Sequence, residues 1–363
     1  MLTLRCWPDE KEIIAHTVNN EIIKTKWLIL EWSRCLTTKP NVVELPTCTQ
    51  PKSRSSETRL HSRMSHFVFI ISLLTVCAII SFSSGQQRSV NITDDALLEI
   101  SSRLYALDVN GAYDQLELNL QSRTSSGNRV DKAPLPLFKN GIPKNVFSRP
   151  TYEKMLSLFD NYLASVNETE QVTPQEKAEE AAFFDAVFAT EVIKATHKFL
   201  VAQRLAESNV ERFKEQLRNI WFGLYQRAPG KQGSSGFEHV FLGEFKNGIS
   251  GLHSWVRFVT EEAKGDINYL GYTRTMSIGK GAVGLIEMPM KFLGVYKPHS
   301  TLMIGSSPEL EIALYSICFL TRPDSLCPIK GNATSGISTR YQIQTFVSKF
   351  QGRRFLGSAF PTF

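Results

Sequence analysis

Residues 236–258 read GFEHVFLGEFKNGISGLHSWVRF, and the sequence changes from helical to strand-like patterning at this stretch. Alternating large apolar residues over 237–245 predict a β-strand. Asn247-Gly248 is a typical hairpin turn. A helix is predicted to begin near Ser250, with apolar residues at helical spacing: Leu252, Trp255, Val256 and Val259.

Two histidines stand in this stretch. A period of two over the predicted strand places His239 on the same face as Phe237 and Phe241, so a half-buried structural histidine is one interpretation. His253 is predicted in the first turn of the helix near Ser250, where the helix dipole disfavours imidazolium. A general base requires a neutral imidazole near pH 7, and this position would favour one.

Residues 90–225, which precede this stretch, are predicted to be mainly helical. Residues 151–166 carry apolar side chains at helical spacing. Residues 173–176, Thr-Pro-Gln-Glu, form a capping box with proline at the first helical position, and they predict a long helix to about Leu205. Asn209 is the expected N-cap of a further helix.

Beyond residue 258 the pattern is mainly that of strands. One helix is predicted after Ser307-Pro308 and extends to about Phe319. The predicted strands cover residues 268–278, 283–290, 292–296, 301–304 and 341–350. The fold class that follows is α+β, with a helical N-terminal lobe packed on a mainly antiparallel β lobe.

Composition and common motifs exclude several function classes. A net charge of +6 over 363 residues is too small to indicate nucleic-acid binding along a basic face. Residues 279–284 match G-x-G-x-x-G, but strand-like sequence flanks them, so the interpretation is a hairpin turn and not a dinucleotide site. The sequence has no H-E-x-x-H, zinc-finger spacing or G-x-S-x-G elbow, so neither a zinc site nor a serine hydrolase is predicted.

The N-terminal region predicts entry into the secretory pathway. Residues 67–82 are apolar and uncharged, which is the length of a signal-peptide core and short for a membrane span. We expect a signal peptide over 64–85, beginning at Met64 and cleaved near Ser84 and Gly85. The alternative is an uncleaved type II anchor, which would attach the protein to a membrane. No domain is assigned to residues 1–63, and one folded domain is expected over 90–363.

Cysteine and glycosylation patterns fit an oxidising compartment. After signal removal only Cys318 and Cys327 remain, and they can close a small disulfide. Asn-x-Thr acceptors occur at Asn91, Asn167 and Asn332. A secreted glycoprotein is therefore predicted.

Four segments together resemble the EndoU family of uridylate-preferring endoribonucleases. They are GFEHVFLGE at 236–244, ISGLHSWVRF at 249–258, VYKP at 295–298 and IGSSPELEIALYSICF at 304–319. The resemblance extends over about residues 90–363. It implies cleavage of single-stranded RNA at uridines to give a 2′,3′-cyclic phosphate.

The resemblance also implies roles for individual residues. His253 would be the general base, His239 the general acid and Lys297 the cation that stabilises charge on phosphorus. Glu238 and Glu244 match acidic positions of the family motif and are expected to orient the histidines or tune their protonation.

Uridine selection in the family uses a hydroxyl residue after the lysine and a threonine–aromatic pair near the C-terminus. Thr301 and the pair Thr345-Phe346 match these places, and Phe346 would stack on the base without a phenolic hydrogen bond. His197 is expected to be structural, and His299 is a weaker candidate for phosphate contact.

The resemblance implies no metal requirement for the chemistry, although manganese or calcium stimulation is implied. No obligate protein partner is implied. A scaffold that binds RNA or another ligand without cleaving it is the alternative function, and a secreted protease is a weaker one.

Overall fold

The computed structural model describes residues 92–139, 141, 144–278, 283–331 and 339–363. The chain divides into two units, Met1–Gln87 and Arg88–Phe363, and every described residue lies in the second. The apolar run at 67–82, the expected cleavage site and the acceptors Asn91 and Asn332 lie outside the described residues. Within the described ranges, no helix is both long and apolar enough to span a bilayer.

Side-chain caps fix where the helices of the first half begin. The capping box at 173–176 is confirmed, because the Thr173 hydroxyl accepts from the Glu176 amide while the Glu176 carboxylate accepts from the Thr173 amide. Asn209 caps its helix as predicted. In the described chain six α-helices precede the first strand: α1 (Asp94–Leu107), α2 (Lys144–Phe147), α3 (Pro150–Leu156), α4 (Pro174–Phe188), α5 (Glu191–Ala202) and α6 (Val210–Phe222).

Two of the predicted helices were too long. The helix expected from 173 to about Leu205 is interrupted after Phe188, because Thr190 adopts extended backbone angles and its hydroxyl caps α5 by accepting from the Ile193 amide. The helix expected over 151–166 ends at Leu156. Leu158 and Val166 are buried from turns beyond that point, so the apolar spacing indicated burial and not helix.

The strand predicted over 237–245 was wrong. Residues Glu238–Leu242 form a π-helical turn, and only Glu244–Phe245 is a strand, β3, which pairs across the Asn247-Gly248 turn with β4 (Ile249–Ser250). Every residue of the π-helical turn is buried. A period of two indicates a strand when one face is buried and the other is exposed. Here both sides are buried, so the spacing of apolar residues does not distinguish a strand from a helix.

The strands form small antiparallel sheets. β1 (Tyr225–Ala228) pairs with β2 (Lys231–Ser234). The later strands are β5 (Ile267–Tyr269), β6 (Arg274–Met276), β7 (Leu285–Phe292), β8 (Val295–Met303), β9 (Leu326–Lys330), β10 (Arg340–Phe350) and β11 (Arg353–Thr362). A four-stranded sheet has β7 at its centre, with β5 and β6 along one edge and β8 along the other. A three-stranded sheet has the order β11-β10-β9.

Strand positions after residue 258 differ from the prediction at several places, and the strands at 326–330 and 353–362 were not predicted. The strand expected over 292–296 contains the β7–β8 turn, where Leu293 and Gly294 have positive φ. Residues 268–278 are split between β5 and β6. Because β6 and β7 pair antiparallel through Met276 and Leu285, the hairpin interpretation of 279–284 fits, although 279–282 lie outside the described residues.

Helix α8 (Pro308–Thr321) joins the helical half to the sheets. It begins after Ser307 as predicted, and its residues from Pro308 to Phe319 are buried. Trp221 of α6 donates its indole N–H to the Ser316 hydroxyl at 2.9 Å. The predicted disulfide between Cys318 and Cys327 is present and ties α8 to β9. One buried apolar core therefore spans helices and sheets, and the α+β class is confirmed.

Candidate active site

A cleft of about 420 Å³ opens beside β4, β8 and the end of β11. The three residues expected to carry the chemistry, His239, His253 and Lys297, all line it. They come from three different elements: the π-helical turn, the loop after β4, and β8. The structure thus brings together side chains that are far apart in sequence. The remaining lining residues are Ile249, Ser250, Gly251, Glu287, Pro298, His299, Ser300, Thr301, Ser358, Phe360, Pro361 and Thr362.

His239 is fixed by a buried carboxylate. Its Nδ1 lies 2.5 Å from Glu244 Oε2, and the same oxygen lies 2.8 Å from Nε of Arg227. With Nδ1–H donating to the carboxylate, Nε2 is the ring nitrogen left for a ligand. Glu244 therefore holds the His239 ring in one orientation.

The two histidine segments are joined through their backbones. The Leu252 amide donates to the His239 carbonyl at 3.0 Å, and the His253 amide donates to the Val240 carbonyl at 2.7 Å. Gly251, at φ +70°, makes this approach possible, because a Cβ there would lie 1.7 Å from the His239 carbonyl oxygen. The distance between the histidines is consequently set by main-chain hydrogen bonds.

His253 lies outside the helix in which the sequence predicted it. Helix α7 (Trp255–Lys264) begins later, with Ser254 as its N-cap. The His253 Nδ1 donates to the Thr301 carbonyl at 3.1 Å, and the ring stacks on Phe360 with centroids 4.9 Å apart. Burial, aided by the charge of Lys297, lowers the pKa of His253 well below its usual value. This shift favours a neutral imidazole near pH 7, and its main cause is burial and not the helix dipole.

Lys297 points its ammonium group into the same buried region. Its Nζ donates to the His299 carbonyl at 2.8 Å, and the residue is only 5% exposed. Burial lowers the pKa of Lys297 to about 7. The cleft thus combines an oriented histidine, a neutral histidine and a titratable cation, which is the set that acid–base catalysis at an anionic centre requires.

Comparison with known proteins decides the family. A family model described as Endoribonuclease XendoU matches residues 96–361. The chain belongs to the XendoU family. Because the family model and the related proteins are endoribonucleases, the chain is an endoribonuclease, and the resemblance found in the sequence is confirmed.

Two known endoribonucleases and one solved structure each match about two thirds or more of this chain. Uridylate-specific endoribonuclease C of Xenopus laevis is 34% identical over 311 residues, which is 82% of this chain and 100% of that protein. The human uridylate-specific endoribonuclease is 38% identical over 243 residues, 66% of this chain and 58% of the human protein. A similar solved structure is that of XendoU, described as a splicing-independent snoRNA processing endoribonuclease. It is 34% identical in sequence with a TM-score of 0.60, and the match covers 73% of this chain and 96% of that one.

The two acidic residues of the motif, Glu238 and Glu244, have pKa values shifted in opposite directions. Both carboxylate oxygens of Glu238 are buried without a hydrogen-bond partner. Burial, together with the charge of Glu244, raises the pKa of Glu238 to about 9. For Glu244, the hydrogen bond from His239 and the charge of Arg227 outweigh burial and lower the pKa. Near neutral pH, Glu244 is therefore ionised and Glu238 is protonated.

The residues expected to select uridine are only partly at the cleft. Thr301 lines it, and its hydroxyl is buried without a partner. Thr345 does not line the cleft, because it is fully buried and donates its hydroxyl to the Arg322 carbonyl at 2.8 Å. Phe346 is exposed and also stands outside the lining, with its ring centroid 6.2 Å from that of Phe360.

A different hydroxyl–aromatic pair occupies the cleft. Ser358 and Phe360 of β11 both line it, while Ala359 between them is fully buried. The sequence analysis missed this pair because it predicted no strand beyond residue 350. The alternation Ser358-Ala359-Phe360 in a strand was the signal that could have found it.

The other predicted residues are placed as follows. His197 stacks on Phe213 with centroids 4.5 Å apart, which is a structural role. His299 lines the cleft. Asn167 is exposed in a turn, where a glycan acceptor has to be.

The resemblance implies stimulation by a metal ion, but the described residues include no assembled set of metal ligands. Among the described residues, no group of three or more histidine, cysteine, aspartate or glutamate side chains is arranged to hold a metal ion. Stimulation by manganese or calcium stays a prediction, and no step below is routed through a metal.

Proposed function

We propose that this protein is a uridylate-specific endoribonuclease that cleaves single-stranded RNA by attack of a 2′-hydroxyl on the adjacent phosphorus. The products are a 2′,3′-cyclic phosphate and a free 5′-hydroxyl. The observation that carries the proposal is the meeting of His239, His253 and Lys297 in one cleft. The names of the similar proteins from frog and human support the uridylate preference.

His253 is the general base in this proposal. Its Nδ1–H is engaged by the Thr301 carbonyl, so Nε2 carries the lone pair that takes the 2′-hydroxyl proton. The lowered pKa supports this role, because the ring is unprotonated and ready to accept. The 2′-oxygen then forms its bond to phosphorus.

His239 is the general acid. The bond from phosphorus to the 5′-oxygen breaks, and that oxygen takes a proton from Nε2 of the His239 imidazolium. Burial lowers the pKa of His239, but the hydrogen bond to Glu244 opposes this and stabilises the protonated ring. After one turnover the two histidines have exchanged protonation states, and water restores them.

Lys297 stabilises the charge that builds on the non-bridging phosphate oxygens. Its ammonium group is held by the His299 carbonyl and is shielded from bulk water, so its field is strong where the charge develops. Phosphate binding would itself favour the charged form of Lys297.

Uridine is recognised by Phe360, Ser358 and Thr301 in this proposal. Phe360 offers an aromatic face, and the buried Thr301 hydroxyl has an unused hydrogen-bonding capacity at the cleft. A base able to exchange hydrogen bonds with these hydroxyls is preferred over one that leaves them unpaired.

The test uses protein beginning near Gln86 and a short single-stranded RNA with one uridine, with and without manganese. Mass analysis should find one cut after uridine with a cyclic phosphate end. His253→Ala and Lys297→Ala should each lower the rate by about 10² or more, while His197→Ala, a histidine outside the cleft, should not. Intact RNA from folded wild-type protein under every metal condition would overturn the nuclease and leave a binding scaffold.

We also propose that the protein is secreted as a glycoprotein. Support comes from the apolar run at 67–82, the disulfide and the exposed acceptor Asn167. N-terminal sequencing of protein released from a secreting cell line should find a start near Gln86, and Asn167→Gln should remove one glycan. Full-length protein retained in the membrane would support the type II anchor instead.

A further inference from the structure

Residues 122–132 form a strap that crosses the sheet next to the cleft. On one side of β7 the Thr124 amide donates to the Tyr272 carbonyl at 2.8 Å, in the connection between β5 and β6. On the other side, Tyr296 of β8 donates its hydroxyl to the Asn128 carbonyl at 3.2 Å. Gly271 allows close approach, because a Cβ there would lie 2.6 Å from the Ser122 carbonyl oxygen. The strap is therefore anchored on both sides of the central strand.

His299 connects the strap to the cleft. Its ring lines the cleft and is 57% exposed, whereas both catalytic histidines are buried. Its Nε2 lies 2.5 Å from Oγ of Ser126 in the strap, and its Nδ1 lies 3.3 Å from Oε1 of Glu287. Since Lys297 donates to the His299 carbonyl, the strap meets the cleft wall two residues from the catalytic cation.

The strap also carries an exposed cation that lies against β8. Arg129 is exposed, and its guanidinium carbon lies 5.0 Å from the centre of the Tyr296 ring, which holds the group in place. No carboxylate of the described chain forms an ion pair with it. Its donors therefore face solvent, and a planar guanidinium binds phosphate well.

The charge of the strap fits an anionic ligand. It carries Arg123, Arg129 and Lys132 against the single acidic residue Asp131, which already accepts from the Asn268 side chain at 3.1 Å. Tyr296, which carries Arg129, is the chain neighbour of Lys297. Arg129 therefore lies against the residue that precedes the catalytic lysine in β8.

We propose that the strap, with Arg129 held on Tyr296 and His299 at the cleft wall, is a second subsite that binds the phosphodiester of a nucleotide flanking the scissile one. This rests on the proposed function, since it extends the same RNA strand beyond the cleft. Phosphate contacts carry no base information, so the subsite adds affinity and positioning for longer RNA without adding sequence preference.

The test compares a uridine-containing dinucleotide with a longer single-stranded RNA that has one uridine in its middle. For wild type, kcat/KM should be higher for the longer RNA. In Arg129→Gln, the ratio of the two kcat/KM values should fall about tenfold, mainly through KM, because one charge-assisted phosphate contact is lost. Arg103→Gln removes the same charge from an exposed position on α1 outside the cleft and should leave the ratio unchanged.

A binding measurement separates this proposal from the nuclease activity. The longer RNA with 2′-deoxyuridine at the cleavage position has no attacking hydroxyl, so its Kd can be followed against salt. Arg129→Gln should reduce the slope of log Kd against log salt by about 0.7, the value for one phosphate on a single strand. An unchanged ratio and slope overturn the subsite while the nuclease stands. Should wild type cleave neither RNA, the proposed function fails and the salt slope still decides the subsite.

Discussion

At the residue scale, the candidate site depends on Lys297, whose burial disfavours its charged form. The Lys297 ammonium donates to the His299 carbonyl, and no carboxylate of the described chain forms an ion pair with it. Burial therefore lowers its pKa to about 7 without compensation. The position makes the charge effective toward phosphate and at the same time makes it easy to lose.

The first prediction concerns the pH dependence of cleavage. We expect kcat/KM to fall with rising pH in two steps. At the lower pH His239 loses the proton that it donates as general acid, and through about pH 7 Lys297 loses its charge. Lys297→Arg keeps a charge at all working pH values and should remove the step near pH 7 while the other step stays, even if its rate is lower. A step near pH 7 that persists in Lys297→Arg would assign it to another group.

The second prediction concerns stability. The native pKa of about 7 lies below the value near 10.4 of an unfolded lysine, so the unfolded chain binds more protons between these values and stability rises with pH across this window. Lys297→Met should raise the free energy of unfolding by about 2 to 4 kcal/mol below pH 7. Urea titrations over the window should find the gain shrinking toward pH about 10. A gain independent of pH would contradict the assignment.

The third prediction tests the role of Glu244. In Glu244→Gln, burial of His239 is no longer opposed by a carboxylate, so less of the ring is protonated and kcat should fall by about 10 to 100-fold. The decline of kcat with pH should also move to lower pH. Glu261→Gln is the matched control, because Glu261 is a buried carboxylate paired with Arg257 and lies outside the cleft lining. Equal losses in both variants would mean that Glu244 is only structural.

At the element scale, the π-helical turn and the loop after β4 act as one unit. The turn places His239 and the loop places His253, and two backbone hydrogen bonds join them. Neither segment is regular secondary structure, so the geometry depends on close packing between them. Gly251 is the position where that packing leaves no room for a side chain.

The fourth prediction compares two glycines of similar backbone conformation. Gly251→Ala should lose both stability and activity, because the new Cβ would overlap the His239 carbonyl and break the contact with Leu252. Gly265 has φ +84° with nothing within 4 Å of an added Cβ, so Gly265→Ala should cost only about 1 to 2 kcal/mol of conformational strain and keep activity. Thermal melts and cleavage rates measure both. Equal effects would show that conformation and not space is limiting at Gly251.

At the scale of the whole molecule, the Cys318–Cys327 disulfide ties α8 to the three-stranded sheet through β9. Cys318 and Cys327 are both fully buried, and neither lines the cleft. The bond therefore bears on the stability of the fold that holds the site, and not on the chemistry.

The fifth prediction follows from the size of the disulfide loop. With a sequence separation of 9, loop entropy gives about 2.5 kcal/mol of stabilisation. The double variant Cys318→Ala, Cys327→Ala should lose about that amount in urea titration, and should retain its cleavage rate well below its melting temperature. A selective loss of activity in folded protein would show that the disulfide positions the cleft.

Local signals were the part of the fold that the sequence predicted well. The capping box at 173–176 and the cap at Asn209 involve atoms within a few residues of each other, so the chain beyond them has little influence. The π-helical turn was missed because burial on all sides removes the alternation on which a prediction depends. The interruption at Thr190 was missed because a threonine at helical spacing gives no sign that its hydroxyl will cap a new helix.

The sequence by itself determined the family, the α+β class and the disulfide, and it singled out His239, His253 and Lys297 as candidates, because these depend on residue types in short ordered motifs. Only the tertiary structure decided that Ser358 and Phe360, and not Thr345 and Phe346, share the cleft with them. It also decided the directions in which the pKa values of His253 and Lys297 shift, since burial lowers both and burial is a property of the packed fold. The strap is a further case, because only the tertiary structure places Arg129, the residue proposed to bind phosphate, against Tyr296 of β8.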